Sequence, residues 1–324
     1  MDGRGPFGMP LTAFGWNERW QNEFSGFAAD GPVPGRVVGE HRTHYQVAIG
    51  DIELTAKTMG HVRNAAALRS DLPCVGDFVA LRPNAGDGPA TIEAVLPRTS
   101  ALIRKASGKE TPQLLAANVD VVFIVTGLDG DYNVARIVRF LTLVRDSGAV
   151  PVIVANKTDL SKDAALAVRE IAAAAPGIAI HAISARAGVG VSELAAYFEA
   201  NRTGVLIGSS GAGKSTLINQ LLGENRQATG EVRGHDSRGR HTTTHRQLFL
   251  RPRGGSIIDT PGMRGLEVWN PSESVAMNFE DIEALALQCK FSNCRHQSEP
   301  ACAVRAAIAR GDLDPARLAA YLKG

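Results

Sequence analysis

The eight residues Gly208-Ser209-Ser210-Gly211-Ala212-Gly213-Lys214-Ser215 combine glycines, hydroxyls and a lysine at a spacing suited to holding phosphate. Glycine lets backbone amides turn inward around anionic oxygens, and a following helix offers its positive end. The run Gly204–Ile207 before this segment reads as a buried strand, and Leu217–Leu222 after it reads as a helix. That context makes the segment a P-loop. Lys214 is expected to neutralise the β- and γ-phosphates and Ser215, next to Thr216, to ligate Mg²⁺.

A P-loop does not choose its base. Asn156-Lys157-Thr158-Asp159 does, because it follows the apolar run Val150–Ala155. A carboxylate at Asp159 can accept both the ring N–H and the exocyclic amine of guanine, a donor pair that adenine lacks. Lys157 is expected to lay its stem along the base, and Asn156 to tie this loop to the P-loop. Ser184-Ala185-Arg186 closes the next strand, where a backbone amide could meet the guanine carbonyl. Asp259-Thr260-Pro261-Gly262 closes another: Asp259 would hold Mg²⁺ through water and the Gly262 amide would meet the γ-phosphate.

Between P-loop and Asp259 lies Arg240-His241-Thr242-Thr243-Thr244, where GTP hydrolases carry a switch threonine on Mg²⁺. Met263 stands where many of them place a water-orienting glutamine, and a thioether cannot orient water. His241, Lys214 and Thr243 are therefore the candidate catalytic residues, with a surface histidine in a loop as the other reading of His241. The order is inverted: the guanine-reading strings precede the P-loop, so the chain is circularly permuted, cut before the strand that begins at Asp120.

Cys289-x₄-Cys294-x-His296-x₅-Cys302 supplies three thiolates and an imidazole, a tetrahedral set for one Zn²⁺. The spacing is not a common finger pattern, and reduced buried cysteines are the other reading. Cys74 stands apart from these and reads as a core residue.

The elements that must position these groups fall into segments. Residues 1–32 form an N-terminal extension whose Leu11, Phe14, Trp16, Trp20, Phe24 and Phe27 suggest an amphipathic helix, docked on this chain or on a partner. Residues 33–98 carry five short strands, at 36–38, 45–49, 52–56, 77–81 and 91–96, as expected of an OB-fold barrel. Residues 99–268 alternate strands and helices, which predicts a doubly wound parallel sheet; helices are expected at 134–144, from a cap at Ser161 to Ala175, and at 191–200. Residues 269–324 read as a helical zinc-binding domain, with helices at 279–288, 303–310 and 315–323.

Net charge is +2, yet Arg226, Arg233, Arg238, Arg240, Arg246, Arg251 and Arg253 face only Glu231 and Asp236 in their stretch. The apolar runs are too short for a membrane span, which needs about 18 residues, and no signal peptide is evident, so a cytoplasmic protein is expected.

These motifs together, NKTD, GSSGAGKST, GRHTTT, DTPG and the Cys/His knuckle, resemble the circularly permuted GTPases of the small ribosomal subunit, the RsgA family. The resemblance spans about residues 33–324. It implies an OB-fold, a permuted GTPase domain and a zinc domain. It also implies GTP hydrolysis to GDP in late small-subunit assembly, on ribosomal RNA, stimulated by the subunit, by a protein that is monomeric when free. Two rivals remain from the residues alone. One is a metabolic P-loop kinase or ATPase, which NKTD disfavours; the other is a GTP-dependent binding switch acting on a protein partner.

Overall fold

The computed structural model describes residues 10–60, 62, 69–86, 88–105, 112–130, 132–223, 246–259, 279–291 and 294–323. Five strands come first: β1 (Val33–Glu40), β2 (Tyr45–Ala48), β3 (Glu53–Thr58), β4 (Phe78–Arg82) and β5 (Ala90–Val95). They bond in the order β1-β2-β3-β5-β4, and β4 returns to β1 to close a barrel. Along β1 and β4 alternate residues serve two cores: Val37, Val47, Val79, Leu81 and Ile92 meet inside the barrel, while Val38, Phe78 and Ala80 face the neighbouring core.

The N-terminal aromatics dock on this barrel. Helix α1 (Glu18–Phe24) is capped by Asn17, whose side chain accepts from the Trp20 amide. Trp16 and Trp20 lie 5.4 and 4.5 Å from the Phe78 ring. Beneath them Arg36, 1% exposed, donates to the carbonyls of Phe14, Gly76 and Asn118. Burial pulls its pKa down to about 10 although Asp120 and Asp77 oppose the shift, so it stays charged at neutral pH.

A hairpin, β6 (Ala101–Lys105) with β7 (Pro112–Ala117), follows; nothing in the sequence pattern anticipates it. Then comes the parallel sheet. Its strands are β8 (Val121–Gly127), β9 (Val150–Asn156), β10 (Ala179–Ala182), β11 (Thr203–Ile207) and β13 (Ser256–Asp259), in the order β10-β9-β8-β11-β13. Every residue of β8 is buried, as a strand covered on both faces requires. Val122, Ile124 and Ile153 face helices α2 (Val134–Arg145) and α3 (Ala164–Ala174) on one side. Val121, Phe123 and Val152 face α4 (Lys214–Leu222) on the other. The doubly wound architecture stands.

Strand β12 (Arg246–Leu250) runs antiparallel to β13 and also pairs with β1, where Arg246 faces Glu40 at 2.9 Å. Barrel and parallel sheet are thus one hydrogen-bonded surface. Two local expectations need correction. The cap of α3 is Asp163, which accepts from the Leu166 amide at 2.9 Å, whereas Ser161 only ends the preceding turn. The segment Val191–Asn201 is a 3₁₀ run rather than an α-helix, broken where Ala200 turns left-handed to enter β11.

Three helices close the chain: α5 (Glu280–Ala286), α6 (Ala303–Arg310) and α7 (Pro315–Lys323). Phe279, Ile282, Val304 and Leu318 form their core, which continues onto Val138 of α2 and Ala174 of α3. Arg317 clasps Asp281 at 2.5 Å and donates to the Ala173 carbonyl. Among the described residues no helix is long and apolar enough to cross a membrane.

Candidate functional site

The five parallel strands end at Gly127, Asn156, Ala182, Ile207 and Asp259, so the motifs that follow them emerge at one edge. Strands β9 and β10 lie to one side of β8, and β11 and β13 to the other. This is a topological switch point, where a crevice opens outside the carboxyl ends of the strands.

The P-loop backbone explains its glycines. Gly208 has φ +145°, and a Cβ there would stand 2.1 Å from the Val125 carbonyl oxygen. Gly213, with φ +93°, would bring a Cβ within 2.2 Å of the Asn156 amide nitrogen. That close approach is used. Asn156 is buried, donates to the Ala212 carbonyl at 2.9 Å and accepts from the Ala185 amide at 2.9 Å. One side chain therefore fastens the P-loop, the NKTD loop and the SAR loop together. Lys214 opens α4 and donates from Nζ to the carbonyls of Gly208 (2.8 Å) and Ser209 (2.6 Å). Ser215 and Thr216 sit half-buried in the first turn of the helix, and Ser209, Ser210 and Gly211 rim the loop.

On the other side, Lys157 takes a left-handed conformation, φ +65°, and Thr158–Leu160 form a 3₁₀ turn. The Thr158 amide donates to the Ile183 carbonyl. Asp159 is exposed, and its Oδ1 accepts from the Ser184 hydroxyl at 2.6 Å. Ser184 and Ala185 are themselves buried. The turn thus presents a fixed carboxylate able to accept a donor pair, while the amides of Thr158, Ser184 and Ala185 beside it are bonded within the chain. Asp129, which no motif marks, joins this group: its Oδ2 lies 2.5 Å from Lys157 Nζ.

Asp259 ends β13, half-buried and opposite Gln247. His241, Thr243, Gly262 and Met263 lie outside the described residues, as do the arginines from Arg226 to Arg240.

The RsgA GTPase family model matches residues 95–269, more than half of the chain. A protein of Opitutus terrae named "Small ribosomal subunit biogenesis GTPase RsgA" is 47% identical, covering 97% of this chain and 89% of that one. The chain belongs to the RsgA GTPase family. A relative of the same name from Syntrophotalea carbinolica is 43% identical over 97% of this chain and 88% of its own. Two solved structures share the architecture: YjeQ from Thermotoga maritima (TM-score 0.63, 30% identity, 90% of this chain and 96% of that one) and YloQ, described as a circularly permuted GTPase (TM-score 0.58, 25% identity, 91% and 94%). As an RsgA-family member the chain is a GTP hydrolase that binds GTP and GDP, and the inverted motif order is the family's permutation.

The fourfold Cys/His set of this RsgA-family chain also converges. The ligand atoms of Cys289, Cys294, His296 and Cys302 all lie within 4.8 Å of one another. Cys289 Sγ is 3.9 Å from Cys302 Sγ, and His296 Nδ1 is 3.6 and 3.4 Å from those sulfurs. A tetrahedral zinc with bonds of about 2.3 Å to sulfur and about 2.0 Å to nitrogen would set these edges near ~3.8 and ~3.5 Å. The set fits one zinc. His296 and Ala301 adopt left-handed backbones, φ +58° and +56°, which bend the loop around the cluster. Burial disfavours the Cys289 thiolate, but the amides of Ala303 and Val304 at the start of α6, with Cys294 and Cys302, prevail and lower its pKa. Cys74 is a buried free thiol within the barrel joint, and burial raises its pKa far above the usual range.

Proposed function

We propose that this chain hydrolyses GTP to GDP while bound to the small ribosomal subunit, late in that subunit's assembly. The observation that carries the reading is the convergence, through Asn156, of a P-loop and a guanine-reading carboxylate. The names of the relatives supply the subunit as partner.

In this reading Asp159 accepts the two guanine donors and Lys157 covers the base. The Ser184 and Ala185 amides are already bonded to Val189 and Asn156, so the guanine carbonyl would meet the amide that follows them in the loop. Lys214 and the P-loop amides hold the β- and γ-phosphates. Ser215, Thr243 and, through water, Asp259 hold Mg²⁺, which neutralises phosphate charge when bound. The Gly262 amide meets the γ-phosphate, and His241 orients the attacking water in place of Met263. In this reading the chain divides into an N-terminal extension (1–32), a barrel (33–98), the permuted GTPase domain (99–268) and a zinc-binding helical domain (269–324).

Ribosomal RNA has a surface to meet on the barrel. A cleft of about 660 Å³ lies between the β1–β2 and β4–β5 loops, lined by Thr43, His44, Lys57 and Asn84. Barrels of this kind bind nucleic acid through those loops. Of the arginine-rich stretch, Arg246 is paired with Glu40 and Arg251 is buried against backbone carbonyls, so the phosphate contacts would fall to Arg226, Arg233, Arg238, Arg240 and Arg253. Such a protein works in the cytoplasm, as a monomer when free.

Sedimentation with small subunits tests the proposal directly. The chain should travel with them in GMP-PNP and leave them in GDP, and the subunits should raise turnover. No association in either state would remove the ribosome and favour the switch on a protein partner. His241→Ala should lower subunit-stimulated turnover by ~10²-fold or more with GTP affinity retained. Stimulation of that variant to the full level would strike His241 from the mechanism.

Zinc has its own expected result. Cys294→Ser or His296→Ala should release about one metal ion per chain and loosen α5–α7, with nucleotide binding largely retained. Metal analysis showing no zinc in the untreated protein would overturn this assignment.

A further inference from the structure

The guanine-facing lysine has a counter-ion that no motif supplies. Strands β8 and β9 leave the sheet at the same level, Gly127 beside Asn156, and the Leu128 amide bonds to the Asn156 carbonyl at 2.8 Å. The loops that follow therefore run side by side, although 28 residues of sequence separate Asp129 from Lys157. The left-handed backbone at Lys157, φ +65°, sends its side chain back across Gly127. A Cβ on Gly127 would stand 3.3 Å from Lys157 Cδ and 2.7 Å from Asp129 Oδ1. Gly127 is thus the floor on which the stem and the carboxylate lie. The ion pair closes at 2.5 Å, with only 24% of the lysine side chain and 28% of the aspartate side chain exposed.

We infer that Asp129 is a positioning residue for guanine nucleotides, holding Lys157 extended so that its stem forms a ready-made surface for the base. The inference rests on reading this strand edge as the guanine site. A free lysine stem samples many rotamers, and ordering it when the base arrives costs affinity. An ion pair with both partners three-quarters covered sets that order before binding, and solvent screens it less than it screens a surface pair. Asp159 then reads the base edge while Lys157 covers its face. The two aspartates have separate tasks: one selects guanine, the other keeps the platform still.

The test is a double-mutant cycle read by binding of fluorescent GDP and GTP. Asp129→Asn keeps the shape and removes the charge, and should raise Kd for both nucleotides by about 10-fold. In steady state the loss should fall mainly on KM, with kcat at saturating GTP much less affected. Inosine triphosphate should weaken by the same factor as GTP, because Asp159 is untouched. Asp129→Glu should recover part of the loss. In a Lys157→Met background, Asp129→Asn should change nothing further.

Wild-type affinity in Asp129→Asn would overturn the inference. So would an undiminished effect of Asp129→Asn in the Lys157→Met background, since Asp129 would then act by another route. A Lys157→Met variant that binds GTP normally would overturn it as well, whereas an unaltered GTP preference in Asp159→Asn would overturn the guanine-site reading itself, an outcome distinct from these.

Discussion

Asp159→Asn is expected to weaken GTP by ~10²–10³-fold and to turn the preference toward xanthosine triphosphate. The carboxylate is exposed in the Thr158–Leu160 turn, and Ser184 holds one of its oxygens at 2.6 Å. Its orientation is therefore fixed while it keeps acceptor capacity for a ligand. Guanine offers two donors on one edge, and charge-assisted bonds of this kind contribute about 1.5–3 kcal/mol each. An asparagine offers one acceptor and one donor, so its amine would face the guanine amine. Xanthine carries an oxygen at that position, which the asparagine amine can meet. The substitution lies outside the core, so the melting temperature should change little. Competition between GTP and xanthosine triphosphate for the variant measures the effect, and an unaltered preference for GTP would remove Asp159 from base selection.

The sequence made the chemistry legible where a function needs consecutive residues. GSSGAGKS, NKTD and SAR each form one turn at a strand end, so their residue types and their place coincide. The parallel strands were readable because burial on both faces demands unbroken apolar runs, as in Val121–Gly127. The barrel strands were readable as short runs set apart by turn residues such as Gly50-Asp51, and each begins within about three residues of its expected start.

Other features depend on what lies across space. The hairpin Ala101–Lys105 with Pro112–Ala117 has no clean period of two, since Leu114 to Ala117 are all buried at the barrel joint. Val191, Leu194 and Phe198 have helical spacing and are buried, yet the chain must reverse at Ala200 and Asn201 to enter β11, which breaks the helix. Ser161 is the cap expected from the sequence, two residues early, because only the folded position of the Leu166 amide gives that role to Asp163. The three cysteines could have been reduced thiols buried apart; the approach of their sulfurs and a His296 nitrogen to within 4.8 Å is a tertiary fact. The ion pair of Asp129 with Lys157 joins two loops far apart in sequence, and no local pattern could announce it.

Lys214→Ala is expected to lower GTP turnover by ~10²–10³-fold, with a smaller loss of nucleotide affinity. In this structure the ammonium donates to the carbonyls of Gly208 and Ser209, two neutral acceptors of its own loop. Phosphate oxygens compete for those bonds on better terms. A bond between charged partners contributes about 1.5–3 kcal/mol, against about 0.5–1.5 kcal/mol for an ordinary one. The lysine should therefore exchange its carbonyls for the β- and γ-oxygens, and it should gain most where charge builds up during cleavage. Removing it takes away a preorganised donor at that point, which is why turnover should suffer more than binding. The fold should survive. Helix α4 is anchored by Leu217, Ile218, Leu221 and Leu222, whereas Lys214 is only half-buried at its first turn. Ser215→Ala should give a related loss that extra Mg²⁺ partly relieves, which Lys214→Ala should not show. Single-turnover hydrolysis beside circular dichroism separates these outcomes: normal turnover in a folded Lys214→Ala protein would refute the P-loop as the phosphate site.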